Sequence, residues 1–397
     1  MTAQPHVTAK PHAGREPVAP GCPVHRGPEG VWTIQDYAGA REFLRHTDTR
    51  QGGFEVEYMD NMPVHIRRPV IYRDGPEHRE HRRQTARFFT PRRVDAKYRE
   101  LMRRAAEEQC DRLRASGRAD LSEMSFLLSV VVAAEVIGLD GDRARMARRL
   151  DRFFAKHTAA QGWDSPQAIY RMFQILLTMS SFFLANVWPS VRARRQRRRD
   201  DLISHLLDDG CTPADILGEC VTFAAAGMIT TREFITMAAW HLFTDDELRT
   251  AYRTGDEQAR YAILHEILRL DPVVSDLYRY TTAEVTLTAP DGPVTIPSGA
   301  KVDVRLAAAN RDPAAVGDNP DTLCPARPVA DGVADYALSF GDGQHRCPGA
   351  AIAIQETDVF LTTLFALPGL RMTKSPTVRD RPEISSYELV GLEIAVD

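Results

Sequence analysis

The chain is 397 residues long, 43% hydrophobic and 26% charged, which suits a globular protein whose apolar core can enclose a cofactor. Its net charge of −4 argues neither for nucleic acid nor for an acidic membrane surface as partner. The six cysteines, Cys22, Cys110, Cys211, Cys220, Cys324 and Cys347, form no C-x-x-C pair. A zinc site and a disulfide framework are therefore unsupported, and a reducing, cytoplasmic setting is expected.

Residues 1–25 are rich in Pro, Ala and His and read as a disordered arm, with no signal peptide or membrane anchor. A short alternating stretch from Trp32 turns helical by Arg45. From about Glu77 the pattern is mostly helical, with few strand signals before Val285. Residues 124–139 are apolar and read as a buried core helix. The arginine run RARRQRRRDD at 192–201 reads as the solvated face and end of a long helix; an acidic partner is the functional alternative. Thr212, Pro213 and Asp215 open a helix that runs to about Phe243. In its middle, Gly227 followed by Ile229, Thr230 and Thr231 is poor helix sequence, so a local distortion is expected. A second helix covers residues 255–270 and stops at Asp271-Pro272. Residues 285–306 alternate β-branched residues around Asp291-Gly292 and predict a hairpin or small sheet. A Pro- and Asp-rich loop at 311–339 precedes a last helix over 351–367. The expected whole is mainly α with small peripheral β-sheets, residues 26–397 forming one domain.

The sharpest local signal is FGDGQHRCPGA over residues 340–350. Gly341 and Gly343 permit a tight looped turn, and Pro348 suits the first position of a helix. Cys347 then stands at a helix N-terminus, where the dipole and free N–H groups favour a thiolate. Taken alone, a lone cysteine in such a turn is a buried core residue. The spacing F-x-x-G-x-H-x-C-x-G, carried by Phe340, Gly343, His345, Cys347 and Gly349, resembles the haem-binding loop of the cytochrome P450 superfamily. The resemblance implies haem b (iron protoporphyrin IX) with Cys347 as the axial sulfur ligand, a thiolate that pushes electron density onto iron.

Other marks of that family occur in order along the chain. Glu266 and Arg269 share a helix face; alone they would read as a surface pair. The resemblance implies instead a structural ion pair that locks onto Arg327. The segment DGPEHREHRR at 74–83 is similar to one in soluble bacterial members and implies His78 and Arg82 as donors to a haem propionate, joined by Arg279 and His345. On the oxygen-side helix, Ala226, Gly227 and Thr230 match the family motif, with Thr231 beside them. The motif's acid is absent, since Ile229 occupies its place and cannot carry a proton. Ordered water with Thr230 or Thr231 could carry protons, or the substrate could. Otherwise the reaction is a cyclisation, coupling or desaturation. Glu233, one turn on, reads as a solvent-facing salt bridge.

The family's pocket maps onto Met59, Met62, Val64, Phe173, Ala226, Met228, Val274, Leu277 and Leu389, an apolar set whose bland reading is core packing. The implied activity is haem-dependent monooxygenation of an apolar small molecule by O2. The substrate expected by analogy is a polyketide, terpenoid or peptide secondary metabolite. A haem protein that only binds ligand or gas is the non-enzymatic alternative. The chain has no flavin, nicotinamide or iron–sulfur fingerprint. Electrons must come from outside, and a ferredoxin-type donor with its reductase, docking near Cys347, is the expected partner. The protein is expected to be a monomer, with no nucleic acid and no membrane.

Overall fold

The computed structural model describes residues 22–54, 56, 67–156, 166–290, 292–381 and 385–397. In chain order the helices are α1 (Tyr37–Arg45), α2 (Gly75–Thr85), α3 (Arg99–Ser116), α4 (Leu121–Ile137), α5 (Arg143–Lys156), α6 (Pro166–Phe182), α7 (Trp188–Gln196), α8 (Leu202–Asp208), α9 (Pro213–Ala224), α10 (Thr230–Thr244), α11 (Asp246–Thr254), α12 (Glu257–Leu270) and α13 (Ala350–Phe365). Side-chain chemistry sets many of their starts. Asp36, Asp120, Asp201, Asp245 and Asp256 each accept an N–H from the first turn that follows, contacts worth about 1 kcal/mol apiece. Thr212 and Asp215 form a reciprocal capping box around Pro213, as the sequence predicts.

The core is organised around α10. Every residue from Thr231 to Leu242 is buried, because α4, α12 and α13 all pack on it. The expected apolar helix at 124–139 is α4, closed by Gly138 at φ 91°. A left-handed φ there excludes a β-carbon at little cost only for glycine. Between α9 and α10 the helix makes a π turn over Ala225–Ile229, which is the distortion expected around Gly227. Such a turn displaces one residue outward and re-aims the side chains after it.

The strands lie at the periphery. β1 (Val24–Arg26), β2 (Trp32–Ile34), β3 (Thr49–Gln51), β5 (Asp276–Thr281) and β8 (Lys301–Arg305) form one sheet in the order β1-β2-β8-β5-β3. Only β2 and β8 pair in parallel. β4 (Arg118–Asp120), β9 (Arg371–Lys374) and β12 (Glu393–Ala395) form a second sheet. β6 (Val285–Ala289) with β7 (Gly292–Ile296), and β10 (Thr377–Arg381) with β11 (Ser386–Val390), are hairpins. The architecture is mainly α with small peripheral sheets.

Three expectations change. The β segment at 285–306 divides: β6 and β7 pair with each other, and β8 leaves to join the larger sheet. β5 carries no local period, because DLYRYT is short and its more buried face, Leu277, Arg279 and Thr281, mixes apolar, charged and polar side chains. The arm expected over 1–25 ends inside β1, since Val24 and His25 pair with Ile34 and Thr33; residues 1–21 lie outside the described set. Among the described residues, no helix is long and apolar enough to cross a membrane.

Candidate active site

The loop before α13 is built to present a sulfur. Gly341 and Gly343 take φ 65° and 67°, and at Gly343 a β-carbon would collide with the Leu44 carbonyl. The Cys347 N–H donates to the Phe340 carbonyl at 2.8 Å, which closes the loop. Gly349 stands at the start of α13 with no side-chain cap, so the first N–H groups of the helix are left for another acceptor. The Gly349 and Ala350 amides serve the Cys347 sulfur. The sulfur opens onto a cavity, yet the protein packed around it raises the thiol above its ordinary range. The two amides and the charges of Arg82 and Arg346 pull the other way.

Across the cavity a cationic edge assembles from distant segments. His78 of α2 is 1% exposed and stacks on His345, ring centroids 4.1 Å apart. His345 Nε2 contacts Asp74 Oδ1 at 2.9 Å. Asp74 stands at the N-cap of α2 but makes no cap bond. Its other oxygen accepts the Gln51 N–H at 3.1 Å, so its carboxylate is spent on the site and not on a cap. Burial alone would raise the Asp74 carboxyl, but His345 and the Gln51 amide hold it below its usual range. Arg82 donates to the Arg346 carbonyl, tying α2 to the cysteine loop. Arg279 of β5 is buried, and burial pushes its guanidinium down to about 10, opposed only by the Asp74 charge.

Does this arrangement fit a haem? Arg279 and Arg82 make no ion pair among the described residues, and His78 Nδ1 is buried without a hydrogen-bond partner. A buried guanidinium without its own carboxylate is costly unless an anion arrives. His78, Arg82, Arg279, His345 and Cys347 all line one cavity of about 470 Å³. A planar group with carboxylates at one edge and a metal that takes sulfur satisfies these donors together. The residues fit the haem.

On the opposite wall run the π turn and the start of α10. Ala226, Gly227, Ile229, Thr230 and Thr231 line the cavity. The Thr230 hydroxyl donates to the Ala226 carbonyl, which leaves its oxygen free to accept from a cavity water. Ile229 is 5% exposed and offers no proton. Glu233 is not the solvent-facing pair expected. It is fully buried, accepts Arg232 Nε at 2.7 Å and the Leu389 N–H at 2.8 Å, and shares Arg232 with Glu388 at 3.1 Å. The β10–β11 hairpin covers that face of α10, so Glu233 is committed to structure.

Glu266, Arg269 and Arg327 meet as the family resemblance implies. Glu266 accepts from Arg269 at 2.7 and 2.8 Å, from Arg327 at 3.0 Å and from the Cys324 N–H at 3.0 Å. Arg327 also donates to the carbonyls of Val316, Asp318, Asn319 and Thr322, pinning the 311–339 loop. Arg269 is completely buried, so the bland surface reading fails.

Of the expected substrate-side residues, Ala226, Val274 and Leu277 line the cavity. Leu389 and Met228 do not: both are buried in apolar clusters, held there because the chain turns them toward the core. Phe173 is 58% exposed on the outer face of α6. Met59, Met62 and Val64 lie outside the described residues. The sequence reading missed Phe54, Phe89, Val136, Ile137 and Phe153, which also line the cavity, and one acid. Glu356 of α13 is 2% exposed and lines it too. Burial pushes its carboxyl up to about 8. The run Gln355-Glu356-Thr357-Asp358 holds two acids, and nothing local says which of them faces the cavity.

The family model for cytochrome P450 matches residues 261–379. The chain is 30% identical over 358 residues to the mycinamicin IV hydroxylase/epoxidase of Micromonospora griseorubida, covering 87% of this chain and 84% of that protein. It is 30% identical over 383 residues to the cytochrome P450 monooxygenase PikC of Streptomyces venezuelae, covering 89% and 83%. The crystal structure of CalO2 superposes with a TM-score of 0.79 at 22% identity, over 94% of this chain and 93% of that one; this shows the fold. With that fold, that cysteine loop and those relatives, the chain belongs to the cytochrome P450 family and is a haem-thiolate monooxygenase.

Proposed function

We propose that this P450 oxidises an apolar small molecule of the secondary-metabolite kind, a polyketide, terpenoid or peptide, with electrons from a ferredoxin-type donor and its reductase. One oxygen atom enters the substrate; the other leaves as water, taking up two protons and two electrons. The observation that carries this reading is the shared cavity, with Cys347 at one wall, cationic donors along one edge and an apolar lining elsewhere. The mycinamicin IV hydroxylase among the relatives supports the substrate class.

In this reading the cofactor is haem b. Cys347 would supply its sulfur ligand, Phe340 and Gly349 would shape the loop behind it, and His78, Arg82, Arg279 and His345 would hold its propionates. When bound, the haem would supply dioxygen activation, helped by electron density from the Cys347 sulfur. Thr230 and Thr231 hold water at the oxygen side and pass protons inward, and Gly227 keeps the helix open there. Ala226, Val274 and Leu277 orient the substrate by apolar contact. The chain from β1 onward acts as one folding unit, monomeric and cytoplasmic.

Ile229 favours a second reading. In it the enzyme makes a ring, a coupled product or a double bond: the substrate gives up two hydrogens, both oxygen atoms leave as water, and with no acid at that position a polar group of the substrate carries the protons. Turnover with a surrogate ferredoxin and reductase, on ligands first found by their shift of the haem spectrum, separates the two. A product heavier by one oxygen is expected. Loss of two hydrogens favours the second reading, and no product from any ligand that shifts the spectrum contradicts both. Ile229→Asp should change the fraction of electrons that end in product; an identical fraction removes the argument from Ile229.

A further inference from the structure

All the large apolar side chains that are exposed among the described residues lie on one helical ridge. They are Ile169, Tyr170, Phe173, Leu176, Leu177, Leu184 and Trp188, each between 39% and 65% exposed. The ridge is α6, a π turn over Phe183–Val187 and α7. Spacings of three, four and seven place the seven on one face. From Ile169 to Trp188 that face is about 29 Å long at 1.5 Å per residue. The opposite face is also apolar and already used: Ile175, Phe182, Val187 and Val191 are buried. A helix apolar on both faces belongs in an interior, and here one side is covered. An apolar stripe of this size on an outer face marks a contact.

The charge around the stripe says what kind. Residues 165–199 contain seven arginines and no acid, in a chain of net charge −4. Arg194 turns inward to Asp201 and Asp140, and Arg198 and Arg199 pair with Asp208 and Asp140. Arg192, Arg195 and Arg197 are exposed and make no ion pair among the described residues. Arg195 sits 5.9 Å from the Trp188 ring, so the basic end and the apolar stripe are continuous. A second copy carries the same unpaired arginines and has no acid within residues 165–199 to meet them. A convex ridge of aliphatic side chains, a tryptophan at its border and arginines beyond it is the pattern of a helix lying in a lipid interface. We propose that this ridge docks the enzyme on an anionic membrane surface, Ile169 to Trp188 entering the acyl boundary and Arg192, Arg195 and Arg197 meeting headgroup phosphates. Among the described residues no helix is long and apolar enough to span the bilayer.

The test uses the haem-loaded full chain with phosphatidylcholine vesicles that contain or lack phosphatidylglycerol. Wild-type protein should sediment with the anionic vesicles, less so at high salt, with a blue shift of fluorescence that Trp188→Phe removes. Leu176→Ser with Leu177→Ser should lower the partition coefficient at least ten-fold while leaving the haem spectrum unchanged, since both side chains are exposed. Arg192→Glu with Arg195→Glu should erase the preference for phosphatidylglycerol. Absence of wild-type binding overturns the proposal, as does binding that the leucine pair does not weaken. Concentration-dependent dimers abolished by the leucine pair, without vesicle binding, would assign the ridge to a second copy. Failure of vesicle binding in a protein that turns over substrate would leave the oxidase reading standing.

Discussion

Glu356 and Cys347 share a cavity, yet only one of them was legible beforehand. Cys347 is announced by its immediate neighbours, because a glycine turn, a proline and a helix start are local features. Glu356 is defined by what packs over it, Ser129 of α4 included, and local sequence carries none of that. The same contrast explains Asp74, which reads as a helix cap but spends its carboxylate on His345 and Gln51. Burial of Glu356 has a measurable consequence. Its folded carboxyl titrates at about 8 against an ordinary 4.5. Between those values the folded state holds a proton that the unfolded chain has released. Stability therefore falls as pH rises through that window, and the full contribution is present only below the unfolded value. Glu356→Gln lacks this slope. Denaturant titrations of the two proteins should diverge by on the order of 5 kcal/mol across the window, in favour of the variant at the alkaline end. Parallel curves would show that Glu356 is solvated in the folded protein.

Elements were readable where their own chemistry dictates them. The capping box of α9 and the π turn at Gly227 follow from residue types at fixed spacing. Strand β5 and the pairing of Glu233 do not, since both depend on what packs against them. The Glu266, Arg269 and Arg327 cluster lies between these cases: spacing gives the first two, and the family resemblance, not a local pattern, supplies the third. Arg327 joins α12 to the loop before the cysteine through Glu266 and four backbone carbonyls. Arg327→Ala strips one partner from a buried carboxylate and frees that loop, a loss of about 3 kcal/mol. The denaturation midpoint should fall and haem should dissociate faster from the variant. An unchanged midpoint would mean that the loop is held by other contacts.

At the scale of the whole molecule, helical periodicity was enough to indicate a mainly α body with small sheets. Sheet order was not accessible, because β8 pairs with β2 across some 270 residues and no local pattern encodes so distant a partner. Net charge also concealed a strongly basic segment behind an acidic total. What unites the molecule is convergence: α2, β5, the cysteine loop and the α9–α10 helix meet at one cavity, and the thiolate is its chemical centre. The direct test is the reduced, carbon-monoxide-bound spectrum of Cys347→Ala, with haem content measured in parallel. The variant should retain measurable haem through His78, Arg82, Arg279 and His345 but lose the Soret band of thiolate ligation. A band identical to that of the wild-type protein would contradict Cys347 as the ligand, and with it the account of the site.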